Sequence, residues 1–326
     1  MNCSVLARLI PVLVISVLLP SLAFSKDSCF DCHGQKGSSG YVDRVLYEQS
    51  AHGFLECGKC HTDISGYPHQ KISKVNCGTC HFLGKEGAPD KQAREYRLSV
   101  HGRAAAEGRF VVPGCQTCHG YHYIFPSLDT RSSTNRQKIP KLCSTCHPKE
   151  FETYSNSIHG KELLGKKNSQ AATCFDCHLE HLTPNTGDDQ WKLALIKECG
   201  TCHAEQMKSY RKTYHGKVTE LGYATMAKCS DCHGSHGIQR IDNPESTLSQ
   251  TNILKTCRKC HPAATAGFTK FYAHAEESNR TKYPVLYYTF FFMTALLISV
   301  FTFFLIHTFL WAYRSLRERL QRKEGK

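Results

Sequence analysis

The sequence predicts a mostly α-helical chain with extensive coil and almost no sheet, elongated around bound groups rather than an apolar core, and followed by one C-terminal transmembrane helix. Three observations predict it. The 326 residues include 19 cysteines and 19 histidines, a proportion that ordinary cores do not use. The cysteines recur at regular spacing with short helical patterns between them, and the longest apolar run lies close to the C-terminus.

The N-terminal 25 residues carry Arg8, an apolar run from Leu9 to Leu19, and small residues at Ala23 and Ser25 that suit a signal peptidase. Residues 1–25 are therefore expected to be a signal peptide. The run is short for a membrane span and Pro11 and Pro20 interrupt it. Cys3 leaves with the signal, and 18 cysteines are left.

Val285 to Trp311 has no formal charge, and Tyr283, Tyr287, Tyr288, Trp311 and Tyr313 cluster at its ends. At 1.5 Å per residue the run reaches about 40 Å, enough for a hydrocarbon core of about 30 Å. Residues 285–313 are expected to be a transmembrane helix. The tail, 314–326, sets Arg314, Arg317, Arg319, Arg322, Lys323 and Lys326 against Glu318 and Glu324, so the positive-inside rule puts it in the cytoplasm. Residues 26–284 are then a periplasmic domain held to the inner membrane.

All 18 cysteines fall in C-x-x-C-H pentapeptides. The cysteine pairs are Cys29 and Cys32, Cys57 and Cys60, Cys77 and Cys80, Cys115 and Cys118, Cys143 and Cys146, Cys174 and Cys177, Cys199 and Cys202, Cys229 and Cys232, and Cys257 and Cys260. Their histidines are His33, His61, His81, His119, His147, His178, His203, His233 and His261. The spacing suits c-type haem: two thiols reach the vinyl groups on one porphyrin edge, and the next residue turns under the ring to bind iron. A zinc site needs four protein ligands and no histidine after every second cysteine. A thioredoxin-like dithiol is a single motif, and disulfide pairing leaves the histidines unexplained. Nine haem c groups are expected.

Ten histidines lie outside the motifs. His52, His101, His159 and His215 precede a glycine in the pattern S/T-x-H-G, and His274 lies in FYAHA. His122, His181 and His236 follow a motif histidine by three residues, His69 follows His61 by eight, and His307 is inside the apolar run. Nine non-motif histidines outside the span match nine haems. Each iron is thus expected to be bis-histidine and six-coordinate, built to pass electrons. Being under one helical turn from a motif histidine, His122, His181 and His236 are expected on its side of the chain, and so to serve neighbouring haems.

Segments 148–159 and 204–215 read as helices, one starting at Pro148 with Gly160 just past its end, the other ending at Gly216. Phe151, Tyr154 and Ile158 match Met207, Tyr210 and Tyr214 in spacing. Stretches 77–122, 143–181 and 199–236 share one order of motif, helix, S/T-x-H-G, return and C-x-x-C-H-x-x-H. Residues 29–69 form a looser copy and 257–274 half of one, giving di-haem repeats. With 259 residues for nine haems, about 29 each, the rings themselves must supply the core.

These features resemble the multihaem c-type cytochromes of anaerobically respiring bacteria, and most nearly the nine-haem periplasmic part of Cbc-type inner-membrane menaquinol-oxidising cytochromes of metal-reducing bacteria. The resemblance implies electron transfer from the quinol pool to periplasmic cytochromes or a terminal reductase in anaerobic respiration, without independent catalysis. In that family the c haems precede a b-type membrane domain. This chain has one span, so a b-type or other quinol-oxidising subunit would be a separate partner. His307 is a possible quinone or haem b contact, since an ionisable side chain inside a span is costly; haem b would need a second histidine from another helix. A competing reading is a multihaem reductase of nitrite, hydroxylamine or sulfur oxyanions with one open haem, often marked by C-x-x-C-K, which does not occur here. Single-span NapC-type cytochromes carry their anchor at the other end.

The formal charge of +13 alone would suggest a nucleic-acid partner. Arg8 contributes one positive charge and the tail four, leaving +8. Nine haems at about −1 each when ferric and about −2 when ferrous offset it. No nucleic-acid partner is expected.

Overall fold

The structure, a computed structural model, describes residues 26–81, 90–109 and 111–324. The expected signal peptide and Cys3 lie outside the described residues. Helix makes up 53% of the structure, and there is no strand among the described residues. The fold is mostly α, as the sequence predicts. Before the C-terminal helix no described helix exceeds the 14 residues of Asp189–Cys202. The segments between motifs are broken by capped junctions, as at Ser157 and Thr213.

The apolar core is small. Among the described residues nine hydrophobic side chains are buried, and Tyr154, Leu163 and Ala171 form the one described cluster, with Leu164 packed against it. Burial at roughly 1.5–3 kcal/mol per large side chain would not offset the ordering of so long a chain. Hydrogen-bonded ties recur instead. Ala51 N–H donates to the Ile124 carbonyl (2.7 Å), Val100 to Thr183 (2.9 Å) and Ile158 to Ile238 (2.8 Å). In each case the residue before a helix histidine is tied to the residue two places after a C-x-x-C-H-x-x-H histidine.

The chain divides into two compact units. Unit 1 holds residues 1–94 and 113–135; unit 2 holds 95–112 and 136–326. Unit 1 therefore carries the first four motifs and unit 2 the last five. The division cuts through the 77–122 repeat, because residues 95–112, with His101, belong with the later motifs. The reason lies in the histidine pairing described below.

Pro284–Glu324 is one continuous helix of 41 residues. It is long and apolar enough to cross a membrane, and its apolar side chains are exposed on all sides. The basic tail is not a separate segment: helix continues through residues 314–324, where Arg, Leu and Glu are good helix formers and no Gly or Pro intervenes before Gly325. Arg314 and Glu318 pair across one turn at 2.8 Å.

Candidate cofactor site: paired histidines between short helices

Each even-numbered motif from the fourth onward forms its own five-residue helix: Cys115–His119, Cys174–His178 and Cys229–His233. The Asp176 carboxylate accepts from Thr173 N–H (2.6 Å) and is held by both terminal nitrogens of Arg136. Asp231 accepts from Lys228 N–H at 2.8 Å. The fifth and seventh motifs instead begin inside a helix that starts upstream, Ile139–Cys143 and Asp189–Cys202.

The leading thiols of motifs one and two, three and four, five and six, and seven and eight come together. Burial and Cys29 push the Cys57 thiol up to about 11, and burial and Cys115 push Cys77 up. The hydrogen bond from Cys143 raises Cys174, and that from Cys199 raises Cys229. No disulfide joins the described cysteines.

After each of the three short helices the chain reverses through a residue with positive φ: Gly120 (73°), Leu179 (60°) and Gly234 (81°). Helix does not continue to the histidine three residues on. Such a φ favours glycine and strains Leu179. The reversal turns His122 against His61, with ring centroids 6.0 Å apart, and His236 against His178, 5.9 Å apart.

The helix histidines differ from expectation. Segments 148–159 and 204–215 are not single helices closed by glycine. Pro148–Asn156 ends at Ser157, which caps a new helix beginning at Ile158; Ala204–Lys212 ends at Thr213, which caps Tyr214–Glu220. The Ser157 hydroxyl accepts from Gly160 N–H (3.0 Å), Thr213 from Gly216 (3.1 Å) and Ser99 from Gly102 (3.0 Å). The histidine thus occupies the second position of a capped first turn. Serine and threonine are strong caps, and an interior glycine carries little helix-ending signal when it serves close packing. A Cβ on Gly102, Gly160 or Gly216 would lie 1.9–2.1 Å from the carbonyl oxygen of Tyr96, Tyr154 or Tyr210.

A tyrosine five residues before each of these histidines completes the device. Tyr47 O–H donates to Leu55 (2.9 Å), Tyr154 to Ala172 (2.8 Å) and Tyr210 to Ala227 (2.8 Å). Each acceptor lies two residues before the next motif, so the tyrosine ties the histidine helix to the following C-x-x-C-H motif. Burial pushes Tyr47 up to about 12 and raises Tyr154 and Tyr210, which keeps these donors protonated. The sequence reading missed Tyr47 and Tyr96, although the Y-x-x-x-x-H spacing was present in all four copies.

Eight motif histidines face a non-motif histidine. In unit 1, His33 faces His69 (5.8 Å), His61 faces His122 (6.0 Å) and His81 faces His52 (6.1 Å). In unit 2, His147 faces His101 (6.4 Å), His178 faces His236 (5.9 Å), and His203 faces His159 (6.2 Å). His233 faces His274 and His261 faces His215, both at 6.2 Å. His119 and His181, the other two of the eighteen, fall one in each unit. The helix histidines His52, His101, His159 and His215 each face the motif two places ahead. His122 and His236 each face the motif two places back. This explains the division of units: His101 follows the third motif and faces the fifth.

No protein-family model matches the chain, and neither does any curated protein.

Burial holds His52, His61, His101, His122, His159, His178, His215, His233 and His274 below the ordinary histidine range. They are neutral at pH 7 and retain a nitrogen lone pair for a metal. His33 Nδ1 lies 3.1 Å from the Ser39 carbonyl, His69 Nδ1 2.9 Å from that of Gln70, and His274 Nδ1 3.1 Å from that of Gln206. A carbonyl only accepts, so Nδ1 carries the proton and Nε2 keeps the lone pair that could bind a metal.

Trp191 stacks 5.5 Å from His178, and Phe268 packs 4.9 Å from His261; neither was singled out from sequence. Among the described residues no group of three or more His, Cys, Asp or Glu side chains is placed to hold a metal ion, so a closed four-ligand zinc centre has no ligand set there. His307 lies on the exposed C-terminal helix, where Phe303 stacks 6.5 Å away.

Proposed function

We propose that this chain is a membrane-anchored electron-transfer protein that holds nine covalent haem c groups and carries electrons from the quinol pool, through a membrane partner subunit, to periplasmic cytochromes or a terminal reductase. The eight facing histidine pairs carry this reading. Two metal–imidazole bonds of about 2 Å, with about 1.1 Å from nitrogen to ring centre on each side, give about 6.2 Å between rings. The pairs fall at 5.8–6.4 Å, so the residues fit a ring-bound iron between two axial imidazoles.

When bound, haem supplies one-electron chemistry at each site. The cysteines would hold the porphyrin by its edge, and each histidine pair would bind the iron and leave no open face for small substrates. Carboxyl and aromatic side chains around them set local polarity. An opposed imidazole at each of eight motif histidines disfavours the open-haem reductase reading. Successive attachments are also close: Cys60 interacts with Cys80, Cys177 with Cys199, and Cys232 with Cys257.

The membrane end of the path lies at the last motifs. His274 precedes Pro284 by ten residues, Tyr272 packs 5.3 Å from Tyr283, and Lys212 pairs with Glu277. Electrons from the bilayer therefore arrive first at the His233–His274 or His215–His261 site. The test is purification from membranes in mild detergent, followed by addition of menaquinol. A second membrane subunit is expected to co-purify, and the complex to be reduced at once. Reduction of the chain alone would remove the need for that subunit, and failure of both to be reduced would contradict the quinol link.

A further inference from the structure

We propose that Asp90 holds the haem attached at Cys77 and Cys80 at a lower reduction potential than the haems attached at Cys29 and Cys32 and at Cys57 and Cys60; this rests on the haem reading above. Asp90 Oδ2 accepts from His81 Nδ1 at 2.6 Å. Asp90 is itself fixed on both sides of its backbone. Its N–H donates to the His81 carbonyl (2.9 Å), and its carbonyl accepts from Arg94 N–H (3.0 Å) at the start of the Lys91–Leu98 helix. The carboxylate is thus aimed at the far nitrogen of an axial imidazole.

Three other histidines of unit 1 have weaker partners at that position. His33 and His69 donate to neutral backbone carbonyls. Nδ1 of His61 is buried without an acceptor among the described residues. Donation to a carboxylate draws the proton away from the ring and makes the imidazole a stronger donor to iron, which favours ferric over ferrous. Donation to a neutral carbonyl does this less, and a bare Nδ1 least. The second and third attachments are neighbours through Cys60 and Cys80. An electron shared between them therefore rests on the second, and the third is a rise along the path. About half of each side chain in the His81–Asp90 pair is exposed, so solvent weakens the field.

The test is a redox titration of the full-length, haem-replete protein and its Asp90→Asn and Asp90→Glu variants, with the haem-to-chain ratio measured in each. In Asp90→Asn one haem of nine should become easier to reduce by about tenfold, 59 mV for one electron, with one low-spin EPR component shifted and the ratio unchanged. Asp90→Glu should return that component toward the parent position. An unshifted titration at a ratio of nine overturns the proposal. So does loss of a haem from Asp90→Asn alone, which would assign Asp90 to attachment. A parent ratio below nine would instead indict the haem reading itself.

Discussion

A His159→Ala chain is expected to lose one low-spin ferric centre of nine and gain one high-spin centre, with the haem-to-chain ratio unchanged. His159 faces His203 at 6.2 Å, and on the proposed haem reading its removal would open one face of the seventh haem. Alanine retains the Cβ, the Ser157 cap and the bond from Ile158 N–H to Ile238. The change is therefore confined to coordination: about one ninth of the integrated low-spin signal moves to high spin, and added imidazole restores it. His307→Ala should leave the haem spectra unaltered if that residue ligates none of the c haems. An unchanged His159→Ala spectrum would contradict the pairing of a helix histidine with the motif two places ahead.

In a Gly160→Ala chain the junction that presents His159 cannot close as it does in the native fold. The new Cβ would sit 2.0 Å from the Tyr154 carbonyl oxygen and 2.8 Å from the Cα of Ser155. Both are backbone atoms in a helix whose tyrosine is buried and bonded to Ala172, so neither can swing aside. A loss of about 3 kcal/mol or more in denaturant unfolding is expected. Ser157→Ala, which removes only the cap, should cost about 1 kcal/mol. Gly165→Ala, with nothing within 4 Å of the added carbon, should be close to neutral. Equal stability of the Gly160 and Gly165 variants would contradict the tight junction. The Gly160 variant should also show a fraction of high-spin haem, because displacing the helix withdraws His159.

Much of the fold class was legible because the stretches between C-x-x-C-H motifs carry short helical patterns, and because the apolar C-terminal run has the length of a membrane helix. The local devices were less legible. Gly160 and Gly216 read as helix ends because glycine usually terminates helices; here the next helix starts at once, and glycine is required by a close carbonyl. The reversal after the motif histidine was hidden at Leu179, where an L-residue occupies the position that Gly120 and Gly234 hold elsewhere. His69 has no repeat pattern, yet lies 5.8 Å from His33. Counting indicated that such a partner was needed but not which motif it faced. The two-motif offset of the histidines was invisible in one dimension, since it depends on how the helices cross. Asp90 likewise gave no signal, because nine residues separate it from the histidine it touches.

The most direct test is low-temperature EPR, with spin quantification, of the fully oxidised full-length protein in detergent. Nine histidine-paired haems require nine low-spin ferric spins per chain, no high-spin signal, and no change on adding nitrite. A high-spin signal that shifts with nitrite would contradict the pure electron-transfer account, and an integrated total well below nine would contradict the haem assignment of the motifs.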